Sequence, residues 1–255
     1  MAFLFRQIGL AVNKLADQID EPNTLATRVG VIFGDVGKLN LVALKYLIVH
    51  LNTLQNSFEF ELLTVGASDP LILKLRQGQL VNRNECRAML PDFHNRITNR
   101  IGEEQGRYEL ADKSSPQGFV LITMARFHDE HYGLKSQAIQ VQALGNWERR
   151  MAPPSIFEFI ITLLLRQAAS FAAPSLSKSV HLGTKGCLFD FTAELSDARY
   201  KALQGYVCTV CRARLEGDGV AYIADEVARV LDMQWLGKPD DPQAYQQPQN
   251  HCSIM

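Results

Sequence analysis

Four residues in the last third of the chain have the types and spacing of a metal site. They are His181, Cys187, Cys208 and Cys211, in the pattern H-x5-C-x20-C-x2-C. The Cys208-Thr-Val-Cys211 pair can set two thiolates on one ion from a single turn. A second pair of ligands arriving from upstream completes a tetrahedron, which is what structural zinc requires. One structural zinc ion is the expected cofactor. The cluster fixes a piece of architecture and by itself names no activity.

A second run of titratable groups is His128-Asp-Glu-His131. His128, Glu130 and His131 could ligate a metal or supply general acid–base chemistry. The run follows an apolar segment that reads as a central strand, where α/β proteins place their sites. Against it, H-x-x-H on a loop is common on solvated surfaces. These three residues define the alternative reading, a metal-dependent hydrolase or peptidase.

Other residues of chemical type have blander readings. His50 lies in a helical pattern on an apolar background and suits a satisfied boundary position. His94 stands between Asp92, Asn95 and Arg96, as on a solvated face. Cys86 is a lone thiol with no neighbour that would activate it. Trp147 reads as an anchor at the end of the sheet. Gly34-Asp-Val-Gly-Lys38 follows a strand, but Leu39 stands where a phosphate loop needs Ser or Thr, so the segment reads as a turn. Cys252 opens a C-terminal Cys-Ser-Ile-Met that fits the prenylation pattern. A single farnesyl chain would anchor weakly, and an unmodified tail is the expectation.

The elements that must position these groups follow from periodicity. Phe5, Ile8, Val12, Leu15 and Ile19 form a helical stripe across residues 3–19. Strands are expected at 29–33, 58–65 and 118–124. Residues 137–144 alternate as an edge or half-buried strand would. Helices are expected at 39–54, near 84–101, from the Pro153-Pro154-Ser155 start to about 172, near 195–204 and 207–215, and across 218–231. The order describes an α/β protein: a mixed sheet with packed helices and a small C-terminal structural-zinc lobe. Residues 1–237 form the expected single domain, with the lobe at about 176–216. Residues 238–255, rich in Pro, Gln and Asp, read as a disordered tail.

The segment from Cys187 to Lys201, closed by Cys208 and Cys211, resembles the C-terminal signature of the archaemetzincins. That family of zinc metallopeptidases carries H-E-x-x-H-x-x-G-x-x-H-C-x4-C-x-M-x17-C-x-x-C. The first part holds a catalytic zinc, and the four cysteines hold a structural one. The resemblance puts Cys187 on the second family cysteine and Cys208 and Cys211 on the last two. Phe189 stands where the family has methionine, and the linker is one residue longer. The first cysteine is missing, with His181 placed to substitute as a ligand. The helix that should carry H-E-x-x-H, residues 155–170, has no histidine. The resemblance therefore implies a scaffold that kept its structural zinc and lost its catalytic one. Such a protein would serve as a binding or regulatory module for a peptide or protein partner.

Bulk properties bound the rest. The 255 residues are 47% hydrophobic, enough to bury a core without disulfides. Lys+Arg number 26 against 27 Asp+Glu, so bulk charge gives no reason to expect nucleic acid. Five cysteines, three at ligand spacing, fit a reducing compartment, and a cytoplasmic location is expected. The N-terminus lacks the pattern of a signal peptide, and residues 156–165 are too short an apolar run to span a bilayer.

Overall fold

The computed structural model describes residues 26–37, 39–108, 115–136, 138–177, 181 and 186–232. The amphipathic stripe at 3–19, the tail at 238–255 and Cys252 lie outside the described residues.

The first strand, β1 (Thr27–Phe33), is buried on both faces, as a Val/Ile-rich strand inside a parallel sheet must be. Helix α1 (Leu41–Leu54) follows, started by the Asn40 side chain accepting from the Ala43 N–H. Strand β2 (Phe58–Leu63) then pairs parallel with β1. After the short α2 (Pro70–Lys74) and β3 (Leu80–Val81) comes the long α3 (Arg83–Arg107), capped by Asn82. Strand β4 (Gly118–Thr123) lies on the other side of β1, also parallel. Strand β5 (Arg126–Phe127) pairs with β3. Strands β6 (Gly133–Ser136) and β7 (Ile139–Ala143) form an antiparallel pair, with β7 parallel to β4. The sheet order is β2-β1-β4-β7-β6, a mixed sheet.

Each face of this sheet packs on helices. Ile32, Phe119, Leu121, Ile139 and Val141 meet Cys86, Leu90, Phe93 and Ile97 of α3. Val29, Val31, Val120 and Ile122 meet α1 and the long helix α4 (Ile156–Ala172) on the opposite face. Gly30 permits the close approach of β1 to its neighbours, since a Cβ there would stand 2.6 Å from the Phe119 ring.

Two expectations need correction. Residues 139–143 are neither an edge nor half-buried: β7 is interior, and Gln140 and Gln142 are buried with the rest. The edge is β6, a short strand with no readable periodicity. The prolines at 153 and 154 lie outside α4. Ser155 is its N-cap, in a capping box with Glu158.

The other edge, β2, is closed by side chains. Gln55 accepts from the Phe58 N–H at 2.7 Å and donates to the Phe58 carbonyl at 2.8 Å. Asn52 does the same for Phe60, at 2.8 and 2.9 Å. Two carboxamides thus do the work of a strand's peptide groups on the side of β2 where no described strand pairs.

The C-terminal third is α5 (Pro174–Ser177), α6 (Leu195–Gln204), α7 (Thr209–Gly217) and α8 (Ile223–Leu231). Leu188, Phe189, Leu195, Ala198, Leu215, Ile223 and Val227 belong to the same buried cluster as α4. Polar bonds join this region to the rest: Tyr132 N–H to the Ala193 carbonyl, Arg199 Nε to the Pro153 carbonyl, and Asn56 N–H to Glu226. No described helix is long and apolar enough to cross a membrane.

Candidate metal centre

The chain brings His181, Cys187, Cys208 and Cys211 together from three directions. His181 lies beside Asp190, with the Phe191 N–H donating to the His181 carbonyl at 3.0 Å. Cys187 opens a tight turn in which the Asp190 N–H donates to the Cys187 carbonyl. Gly186 enters that turn at a φ of 84°, a left-handed conformation that glycine adopts freely. Cys208 is the N-cap of α7, and Cys211 sits in its first turn. The helix start is electropositive, which favours thiolates there.

One donor atom from each residue falls within 4.8 Å of the other three. His181 Nε2 is 3.0 Å from Cys211 Sγ and 3.3 Å from Cys208 Sγ. Cys187 Sγ is 4.0 Å from Cys211 Sγ. A zinc–sulfur bond of about 2.3 Å implies tetrahedron edges of about 3.8 Å. The four donors therefore fit one zinc ion, and they could hold it. They are a Cys3His set, a chemistry that suits zinc over hard cations such as calcium or magnesium.

The surroundings suit a metal as well. His181 Nδ1 is 2.7 Å from Asp190 Oδ1, so the carboxylate fixes the ring tautomer that leaves Nε2 free to ligate. Asp190 also accepts from the Cys187 N–H at 3.0 Å, which locks the cysteine turn to the same carboxylate. The Sγ–Sγ hydrogen bond with Cys211, helped by the Cys208 and Phe189 N–H groups, pulls the Cys187 thiol down to about 5, against the opposing effect of burial. The Cys211 thiol is pushed up by the same hydrogen bond, then by burial and by the nearby Cys187 charge, so the pair favours one shared proton. A metal ion would take the place of that proton.

Asp190 and Lys201 are the residues that sequence reasoning missed. Asp190 is fully buried. Its one signal is its position three residues after Cys187, where an aspartate can close a turn onto the cysteine N–H. Lys201 is fully buried on the inner face of α6, with Leu195, Ala198 and Ala202. Its Nζ donates to the Asp190 carbonyl. Burial, then the charge of Arg166, draws the ammonium down to about 6, while Asp190, Cys187 and Asp197 act in the other direction. A cation at an apolar-period position was the signal.

The run at 128–131 is arranged differently. Asp129 pairs with Arg83 at 2.6 Å, and His131 Nδ1 contacts the Asp129 carbonyl at 2.9 Å. His128 opens on a cavity of about 230 Å³ with Lys74 and Glu85. Glu130 opens on another of about 240 Å³ with Asn146, Glu148 and Arg150. Among the described residues, the one His/Cys/Asp/Glu group at metal-ligand spacing is the Cys3His set. His50 bonds Thr53 and stacks on Tyr46. His94 is not simply solvated: its ring meets Phe119 edge-on at 5.6 Å. Cys86 is buried, and its thiol is pushed up to about 11 by that burial. Asp35, in the glycine turn after β1, accepts from the Gly37 and Gln77 N–H groups, which is what a tight turn needs. Trp147 packs against the core beyond β7.

No protein-family model matches the chain, and no curated protein does. Among solved structures, the chain is similar to a crystal structure of archaemetzincin from Archaeoglobus fulgidus in complex with malonate. The similarity covers 73% of this chain and 99% of that one, at 11% identity and a TM-score of 0.44. The relationship is a distant one in structure only, and no residue role passes from that protein to this chain.

Proposed function

We propose that this chain is a non-hydrolytic, zinc-stabilised protein of metallopeptidase-like build that acts as a binding or regulatory module. The observation that carries this reading is the closed donor set. Four protein atoms surround one point, and the histidine among them is held by a buried carboxylate. Catalytic zinc keeps a position open for water or substrate, and structural zinc does not. His181, Cys187, Cys208 and Cys211 would hold the ion, and its contribution is folding energy. Helix α4 supports the same reading: its sequence IFEFIITLLLRQAASFA has no histidine, and Ile160, Ile161, Leu163, Leu164 and Leu165 are core.

One observation favours the alternative site at His128, Glu130 and His131. Glu130 is the one described non-glycine residue with positive φ, at 61°, and such outliers gather at functional positions. Digestion of a peptide library separates the two readings. The module reading expects no chelator-sensitive cleavage. Cleavage abolished by His131→Ala would promote the hydrolase, and cleavage that survives it would place a site elsewhere.

A further inference from the structure

We infer that the seam between helix α4 and the β6–β7 edge of the sheet binds a carboxylate with an N–H on the next carbon, the group at the free C-terminus of a peptide. The inference deepens the module reading and rests on it for the peptide. It starts from four polar atoms. Gln142 Nε2 and Oε1, Thr162 Oγ1 and Arg166 Nε are buried and bond no atom of the described residues. Gln142 and Thr162 are each 1% exposed. Buried polar side chains are nearly always paired, since the water lost on burial must be replaced. These four atoms call for a partner that the described chain does not supply.

Register and helical period bring them to one seam. Gln140 and Gln142 of β7 pair with Val120 and Ile122 of β4. Paired residues share a face of the sheet, and Val120 and Ile122 belong to the core cluster of α4. Lys135 of β6 pairs with Gln140, so it stands on that face too. On α4, Thr162 and Arg166 are four residues apart and share one side of the helix. Lys135 Nζ lies 5.9 Å from the centre of the Phe171 ring, which sets the last turn of α4 beside β6. Burial, and then the Arg166 charge, draws the Lys135 ammonium down, and the same guanidinium acts on Lys201 of α6. Cations from three elements therefore sense one another here. Asp190 and Asp197 offset Lys201. Among the described residues, neither Arg166 nor Lys135 has an ion-pair partner.

The donor and acceptor inventory selects the ligand. Gln142 Nε2, Arg166 Nε and Lys135 donate, which suits an anionic oxygen. Gln142 Oε1 only accepts, so the ligand must bring a donor of its own. Thr162 Oγ1 can do either. A peptide's terminal carboxylate has its amide N–H on the next carbon, and a bare carboxylate has none. Lys135 is exposed and Arg166 half-buried, so the seam opens to solvent at its cationic end.

Titration of the zinc-loaded, full-length protein with N-acetylglycine, read by NMR at the side-chain N–H groups, tests the inference. The Gln142 carboxamide and Arg166 Nε–H resonances are expected to shift. N-acetylglycinamide lacks the charge and acetate lacks the N–H, so each should bind at least about tenfold more weakly. Arg166→Gln should lose binding. Gln142→Leu and Thr162→Val should lose it too, and each removes a buried orphan, so the melting temperature without ligand should hold or rise. No shift at Gln142 and Arg166 at any soluble concentration of the probe would overturn the proposal. Equal binding of acetate or inorganic phosphate would overturn the ligand class. A melting temperature that falls in both apolar variants would assign the four atoms to internal water, against the proposal. Shifts accompanied by release of acetate and glycine would keep the site and overturn the module reading.

Discussion

Asp190 decides how good a ligand His181 can be. Its carboxylate holds one ring nitrogen and the Cys187 N–H at once, so a single side chain aligns two of the four donors. Asp190→Ala is expected to weaken zinc binding about 10- to 100-fold, the usual effect of losing such a partner. Competition against a chromophoric chelator measures this, and an unchanged affinity would remove Asp190 from the account. The ligand types and their spacing were legible in the sequence because Cys-x-x-Cys is local. Asp190 and Lys201 were not, because their roles depend on how turns fold back on one another. Cys86 gives a second prediction at this scale. Its thiol is raised to about 11, so the folded protein keeps the proton where the unfolded chain gives it up from about 9. Stability from this group is full below about 9 and falls as pH rises toward about 11, since the unfolded state then binds fewer protons. Alkylation at pH 8 followed by mass mapping should leave Cys86 unmodified in the folded protein, and label at native Cys86 would contradict its burial.

At the level of elements, the sheet was legible where strands are long and apolar. β1 and β4 announced themselves, and so did α4, whose Ser155–Glu158 capping box is a local signal. β6 was not, since four residues reading Gly-Leu-Lys-Ser carry no period. β7 was misplaced because its glutamines look like a solvent face, although β7 lies between β4 and β6 and is buried along its whole length. The closed edge of β2 leads to a prediction. Replacing Asn52 and Gln55 together with alanine removes the four hydrogen bonds to β2, and a fifth from Gln55 to the Leu51 carbonyl, and bares the strand's peptide groups. At about 1 kcal/mol for each bond, the loss should lower stability by several kcal/mol, most of it from the buried Gln55. The exposed edge should then pair between molecules. Concentration-dependent mass in light scattering is the expected outcome, and a double variant that stays monomeric would show that the carboxamides are not what closes the edge. The capping box is separable from this. Ser155→Ala should cost about 1 kcal/mol by chemical denaturation, with zinc content unchanged.

Across the whole molecule, zinc would act on a region that is already part of the core. The turn at Cys187 and helices α6, α7 and α8 share one buried cluster with α4 and the sheet. Chelation is therefore expected to loosen the C-terminal third first and to lower the melting temperature, while the β1–β4 centre keeps its slow hydrogen exchange. Cys208→Ser should do the same without a chelator. Everything above rests on the Cys3His set being a closed, structural zinc site. X-ray absorption at the zinc edge of the purified, metal-loaded protein tests it most directly. The expected result is one zinc per chain with three sulfurs at about 2.3 Å and one nitrogen at about 2.0–2.1 Å. A fourth ligand that is a water oxygen, or a second zinc bound through nitrogen and oxygen alone, would contradict it and favour a catalytic metal site instead.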